Sequence, residues 1–115
     1  MAPWDIVRVD FPYAEEAAVR RRPALVIAKP DAAGDFSILW VLMITSAARQ
    51  AWPLDVPVSD LHLGGLSQAC FVRTNKVTAL DSRLAERIGQ LSRVDRPQVA
   101  ACLGQLLRAV LISTA

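Results

Sequence analysis

The stretch Phe36 to Thr45 is apolar almost throughout, and it places the strongest limit on what this chain can fold into. It is too short to cross a bilayer, which takes about 20 residues. A segment apolar on both faces must be covered on both, so it is expected to be a central strand. Periodicity alone fits a buried helix of the same length equally well. The neighbouring segments read as shorter strands. Asp5 to Phe11 alternates, with Val7, Val9 and Phe11 on one face and Arg8 and Asp10 on the other. Pro12 ends it, and Tyr13 to Arg21 reads as a polar loop. Arg22-Pro23 leads into Ala24 to Ala28, with the proline where a strand loses no ladder bond. Pro30 to Asp35 has turn chemistry.

Beyond the apolar run, Ser46 to Trp52 reads as a second loop, carrying Arg49. Leu54, Val56 and Val58 alternate with polar residues, and Pro57 marks that strand as an edge. Gly64-Gly65 is a turn signal. Gln68 to Thr74 alternates again, and Val77 to Leu80 and Ile88 to Leu91 read as further short strands. Ser92 to Asp95 resembles a capping box with Asp in place of Glu, and Pro97 falls in the first helical turn. Val99, Leu103, Leu106, Leu107 and Val110 then recur at helical spacing. The expected fold is a small, mostly antiparallel β-barrel or strongly twisted sheet with a C-terminal amphipathic helix packed on it.

Composition bounds the function. At 115 residues the chain is expected to form one domain over 1–115. The two cysteines, Cys70 and Cys102, and the lone His62 make no zinc pattern. Met1 to Asp5 has no basic flank or apolar core, so no signal peptide, no membrane span and a cytoplasmic location are expected. A net charge of +2 neither demands nor forbids a nucleic-acid partner. The apolar fraction of 53% is high for so small a domain, and a homo-oligomer interface or a large share of alanine accounts for it.

Four features can carry chemistry. Arg20-Arg21-Arg22 is either a solvated loop edge or an anion site, since guanidinium forks match phosphate oxygens. Pro23 biases Arg22 towards an extended backbone, which would project it from the mouth of a strand. Thr45-Ser46 are either turn formers or phosphate-contacting hydroxyls beside Arg22. Glu15-Glu16 make ion pairs with the arginines, or one of them serves as a general base. Tyr13 and Trp52 either pack in a core or interface, or stack on bases. Cys70 and Cys102 read as inert core thiols and His62 as an ordinary loop or surface residue.

These pieces, in this order and spacing, resemble the MazF/PemK family of toxins from bacterial toxin–antitoxin modules. The resemblance rests on Asp5-Ile6-Val7-Arg8-Val9-Asp10-Phe11, Arg22-Pro23-Ala24-Leu25-Val26-Ile27 and Ile44-Thr45-Ser46. It also rests on Phe71-Val72-Arg73-Thr74-Asn75-Lys76 and on Ile88-Gly89-Gln90-Leu91-Ser92 followed by a helix. The chain departs from the usual pattern at Trp4, where a glycine is common, in the first loop at Glu15 to Val19, and at Asn75, where an aspartate is common.

The resemblance implies an SH3-like antiparallel β-barrel with a C-terminal helix, working as a homodimer. It implies a metal-independent endoribonuclease, without cofactor, that cuts single-stranded RNA and is silenced by a cognate antitoxin. Arg22 and Thr45 match the residues that carry the family's cleavage chemistry. Glu16, less so Glu15, is the base candidate from its loop position. Arg21, Ser46, Arg73 and Lys76 are the expected RNA contacts. The alternatives on the same fold are a gyrase-inhibiting protein and a catalytically inactive partner-binding protein.

Overall fold

The computed structural model describes residues 1–11, 20–30 and 37–113, with the backbone alone at positions 11 and 20. Its strands are β1 (Asp5–Phe11), β2 (Arg20–Ala28), β3 (Ile38–Ser46), β4 (Asp55–Pro57), β5 (Cys70–Asp81) and β6 (Ala85–Gln90). A short helix α1 (Leu61–Gly64) follows β4, and the long helix α2 (Arg96–Ser113) comes last. The strands form one sheet in the order β4-β5-β3-β2-β1-β6, and every neighbouring pair is antiparallel. No helix is long and apolar enough to cross a membrane among the described residues.

Chain connectivity forces this sheet to curl. β5 ends at Asp81 and β6 begins at Ala85, so at most about 15 Å of backbone separates their ends. In a flat sheet of this order they would lie four strand spacings apart, about 19 Å. Register shifts at Ile6/Val7, Val26/Ala28 and Leu42/Met43 supply the bends. The result is the expected barrel-like sheet with a C-terminal helix, with β4 and β6 left at its edges.

Curling gives the sheet two apolar layers. Val7, Val9, Ala24, Val26, Leu39, Val41 and Met43 form one, closed by Leu80 of β5 and Ala85 of β6. Ile6, Leu25, Leu42, Ile44, Val56 and Val72 form the other, beneath Leu91 and Val99. The β3 run is central, between β5 and β2, as its two-faced hydrophobicity requires. Its one exposed large side chain is Trp40, which lies beyond the part of the second layer that the helix covers.

Three expectations are corrected. Cys70 to Thr74 and Val77 to Leu80 belong to one strand, β5, and Gln68 and Ala69 precede it. The polar Asn75-Lys76 pair reads as a break because the ladder bulges there: Leu42 faces Val77 but Met43 faces Arg73. The last strand starts at Ala85 and not at Ile88. The second strand starts at Arg20, within the stretch to Arg21 that reads as a loop, whereas the helix starts at Arg96 with Pro97 in its first turn, as expected. Ser92 to Asp95 closes a turn, with Asp95 N–H donating to the Ser92 carbonyl at 3.0 Å. The Asp95 carboxylate is taken by Ser59, whose N–H and Oγ–H donate at 2.9 and 3.0 Å.

The docking of α2 is also shorter than its periodicity predicts. Val99 is buried and Cys102 and Leu103 pack on the second layer. Leu106, Leu107, Val110, Leu111 and Ile112 are all exposed. At the other end of that layer Gly89 lets β6 touch α1. A Cβ there would sit 2.4 Å from the Gly64 carbonyl carbon and the Leu63 oxygen, so no other residue fits.

Candidate active site

Antiparallel pairing of β2 with β3 brings Arg22-Pro23, near the start of β2, beside the hydroxyl end of the apolar run. Ala24 lies opposite Met43, and continuing that register sets Arg22 level with Thr45. Both line one cavity of about 180 Å³. Met43 and Ile44 contribute to its wall, as do Arg49 and Trp52 from the loop after β3 and Arg73 and Lys76 from β5. The bulge in β5 explains the last two: it inserts Thr74 to Lys76 into the strand, so Arg73 and Lys76 both reach the cavity.

The cations here are not equivalent. Arg73 is buried, and its Nε and Nη2 donate to Asp55 Oδ1 and Oδ2 at 3.2 and 3.0 Å. Its Nη2 also donates to the Gln50 carbonyl at 2.9 Å. Its guanidinium carbon lies 4.0 Å from the centre of the Trp52 ring. This arginine is neutralised by its own counterion. Arg22, Arg49 and Lys76 have no salt-bridge partner among the described residues. Arg22 Nε is buried and has no hydrogen-bond partner among those residues. Leaving such a donor unsatisfied is costly, and an anionic oxygen in the cavity would satisfy it.

The other candidates are distributed as follows. Arg21 is exposed and pairs with Asp10 at 3.0 Å, away from the cavity. Ser46 Oγ accepts the Ala48 N–H at 3.2 Å, the bond of a turn former, and is not part of the lining. Glu16, with Glu15 and Tyr13, lies outside the described residues. His62 is an exposed residue of α1 and does not line the cavity. Burial pushes the Cys70 thiol pKa up, and its Sγ–H donates to the Gln68 carbonyl at 2.9 Å, so it is held as an inert thiol. Among the described residues no group of His, Cys, Asp and Glu is arranged to hold a metal ion.

Sequence reasoning missed Arg49 as a site residue and Asp55 as the counterion of Arg73. A position in the loop after Thr45 was the only signal for Arg49, and it says nothing about direction. Asp55 read merely as a polar residue of an alternating strand. Chemically, the arrangement offers guanidinium and ammonium charge plus one hydroxyl on a single small concavity, which suits a phosphate group.

Comparison with known proteins gives one family. The model for PemK-like, MazF-like toxins of type II toxin–antitoxin systems matches residues 2–107. No curated protein sequence matches the chain. The fold is similar to that in the crystal structure of MazE-MazF (Form-III) from Deinococcus radiodurans, with a TM-score of 0.67 and 23% identity over 91% of this chain and 94% of that one. It is similar to the Mycobacterium tuberculosis toxin MazF-mt6, with a TM-score of 0.66 and 20% identity over 88% and 93% of the two chains. It is also similar to an endoribonuclease in complex with its cognate antitoxin from a mycobacterial species, with a TM-score of 0.66 and 12% identity over 91% and 92%.

Proposed function

The chain belongs to the PemK-like, MazF-like toxin family of type II toxin–antitoxin systems, and from that premise we propose that it is a sequence-specific, metal-independent endoribonuclease acting on single-stranded RNA. The observation that carries this reading is the buried Nε of Arg22, without a hydrogen-bond partner among the described residues, on the cavity that Thr45 also lines.

In the proposed reaction the RNA supplies its own nucleophile. The 2′-oxygen attacks the adjacent phosphorus as its proton leaves to a base. The bond from phosphorus to the 5′-oxygen breaks, and that oxygen takes up a proton. The products are a 2′,3′-cyclic phosphate and a 5′-hydroxyl. Negative charge builds on the non-bridging oxygens in the transition state, and the Arg22 guanidinium stabilises it. The Thr45 hydroxyl donates to one of the same oxygens. Arg22 cannot be the base, since a guanidinium stays protonated at any working pH. Glu16 is assigned that role from its place in the first loop. Lys76, and Arg49 with it, attract the flanking phosphates, and Arg21 and Ser46 are assigned outer RNA contacts. A net charge of +2 is compatible with this, because Arg22, Arg49 and Lys76, which have no salt-bridge partner among the described residues, line the same cavity.

The test is incubation of the pure protein with mixed-sequence RNA and mapping of the fragment ends. Cuts at a short recurring sequence, with 5′-hydroxyl ends and an unchanged rate in EDTA, are the expected result. Intact RNA, or cleavage that EDTA stops and added metal restores, overturns the reading. Supercoiling by DNA gyrase, measured with the same preparation, is expected to be unaffected.

The protein is assigned to the cytoplasm, with a cognate antitoxin as its inhibitor and a second copy as its partner. The second half of α2 supports the homodimer: Leu107, Val110 and Leu111 are 53%, 62% and 67% exposed, an apolar surface that a monomer rarely leaves in water. The double variant Leu107→Glu/Val110→Glu is expected to run as a monomer in size-exclusion chromatography with light scattering, where the wild type runs as a dimer. A wild-type monomer, or a dimer that survives both charges, counts against this assignment.

A further inference from the structure

We propose that Trp52 is a stacking platform for one RNA base, and that Arg73 is the positioning residue that braces it and not a ligand for phosphate. The proposal rests on the reading of the cavity as an RNA site. Its starting point is a turn held with unusual thoroughness. Trp52 N–H donates to Asp55 Oδ2 at 2.8 Å, and Asp55 N–H donates back to the Trp52 carbonyl at 3.2 Å. Inside the turn Leu54 has φ of 66°, a left-handed conformation that a leucine rarely adopts. Such a conformation persists only when its surroundings enforce it.

The enforcement comes from consecutive residues of the β5 bulge. Arg73 forks onto Asp55, Thr74 Oγ1 donates to the Leu54 carbonyl at 2.7 Å, and Asn75 Nδ2 donates to the Pro53 carbonyl at 2.7 Å. A loop that merely connects β3 to β4 needs none of this. What the turn presents is Trp52, which lines the cavity with Arg22 and Thr45 and is 44% exposed. The Arg73 guanidinium covers part of the ring at 4.0 Å and, being held by Asp55 and Gln50, cannot swing away.

A rigid, half-exposed indole beside a phosphate-sized cluster of cations fits a nucleobase attached to that phosphate. Single-stranded bases stack on aromatic side chains, each contact changing affinity by a factor of roughly 5 to 150. Preorganisation matters because a ring fixed beforehand loses no rotamer freedom on binding. It also distinguishes the two roles open to Arg73. A phosphate ligand partly tolerates lysine, which keeps the charge though it loses the fork. A brace does not, because lysine has neither the planar fork for Asp55 nor a flat surface for the indole.

The experiment measures steady-state cleavage of a random-sequence RNA pool, with end mapping, for the wild type and for Trp52→Ala, Trp52→Phe and Arg73→Lys. Thermal melting checks that each variant is folded. Trp52→Ala is expected to raise KM by roughly 5- to 150-fold with little change in kcat, and to relax the preference at one nucleotide of the cut sequence. Trp52→Phe is expected to recover most of the loss, and folded Arg73→Lys to behave as Trp52→Ala does. Unchanged KM and unchanged cut sequence in Trp52→Ala overturn the platform while leaving the nuclease reading intact, and wild-type behaviour of Arg73→Lys overturns the brace. A second readout separates the two proposals from the other side. In a Trp4→Phe/Trp40→Phe protein Trp52 is the sole indole, and the same RNA is expected to quench its emission. Quenching without cleavage keeps the platform and removes the nuclease, and emission unaffected by RNA removes the platform.

Discussion

Arg22→Ala is expected to leave the protein folded and to slow RNA cleavage by at least ~10²–10³-fold, the usual loss when one preorganised donor to a developing oxyanion is removed. The fold tolerates the change because Arg22 contributes little to it. Its backbone stays in β2, where Val9 of β1 faces it. It has no salt bridge among the described residues, and truncation removes a buried Nε that has no partner among them. The same facts make it costly to lose in catalysis. A donor with no partner among the described residues has no bond to them to break before it receives a phosphate oxygen. Arg22→Lys should fall between the two, keeping the charge and losing the fork. The measurement is kcat on a mapped RNA substrate, with circular dichroism and melting as the control for folding. An Arg22→Ala protein that cuts as fast as the wild type would remove this residue from the mechanism.

Asp55→Ala is expected to have the largest effect on stability, about 3–5 kcal/mol, because it strands a buried guanidinium. The side chains of Arg73 and Asp55 are only 8% and 4% exposed, so solvent cannot take over the lost contact. Asp55 also accepts the Trp52 N–H, so the turn loosens along with the pair. For a domain of this size the melting temperature should fall by roughly 10–20 °C. Against a typical total stability of about 5–15 kcal/mol, that is enough to unfold a marginal domain. The physical cause can be isolated by removing both charges together. Asp55→Leu/Arg73→Met should recover much of the lost stability, because burying an unmatched charge is what costs, and exchanging the pair for apolar side chains does not. Thermal melting of the single and double variants decides it. A melt of Asp55→Ala within about 2 °C of wild type would mean that the pair contributes nothing.

These two arginines mark the boundary between what the chain order reveals and what it hides. Arg22 was legible: an arginine before a proline, at the start of a strand and ahead of an apolar run that ends in a hydroxyl, has an expected direction. Arg73 was not. It stood among the expected RNA contacts because Phe71 to Lys76 matches a segment of the family pattern, which says nothing of a counterion. Its partner Asp55 comes 18 positions earlier and meets it only because β4 lies beside β5. Arg49 stayed hidden for a related reason. A loop residue takes its direction from the elements that anchor the loop, and hydrophobic periodicity says nothing about them.

The helix divides in the same way. Its existence and apolar face were set by the spacing of Val99, Leu103, Leu106, Leu107 and Val110. At its start the expected capping box is only half made: Ser92 Oγ accepts the Val94 N–H at 3.3 Å, while Ser59 takes the Asp95 carboxylate. Its docking on the sheet reaches only to Leu103, and Leu106, Leu107, Val110, Leu111 and Ile112 beyond it are exposed.

By itself, then, the sequence determined most of the strands, the two-faced burial of β3 and the final helix. All of these follow from local propensity and from side-chain alternation along one segment. Only the tertiary structure decided that the sheet curls, that β2–β3 pairing sets Arg22 level with Thr45, that Arg73 and Lys76 on either side of a bulge both reach the cavity, and which cation there carries its own counterion. Those outcomes depend on contacts between segments far apart in the chain. The free energy of a buried charge is set by the partner it finds in space, and its neighbours in sequence do not specify that partner.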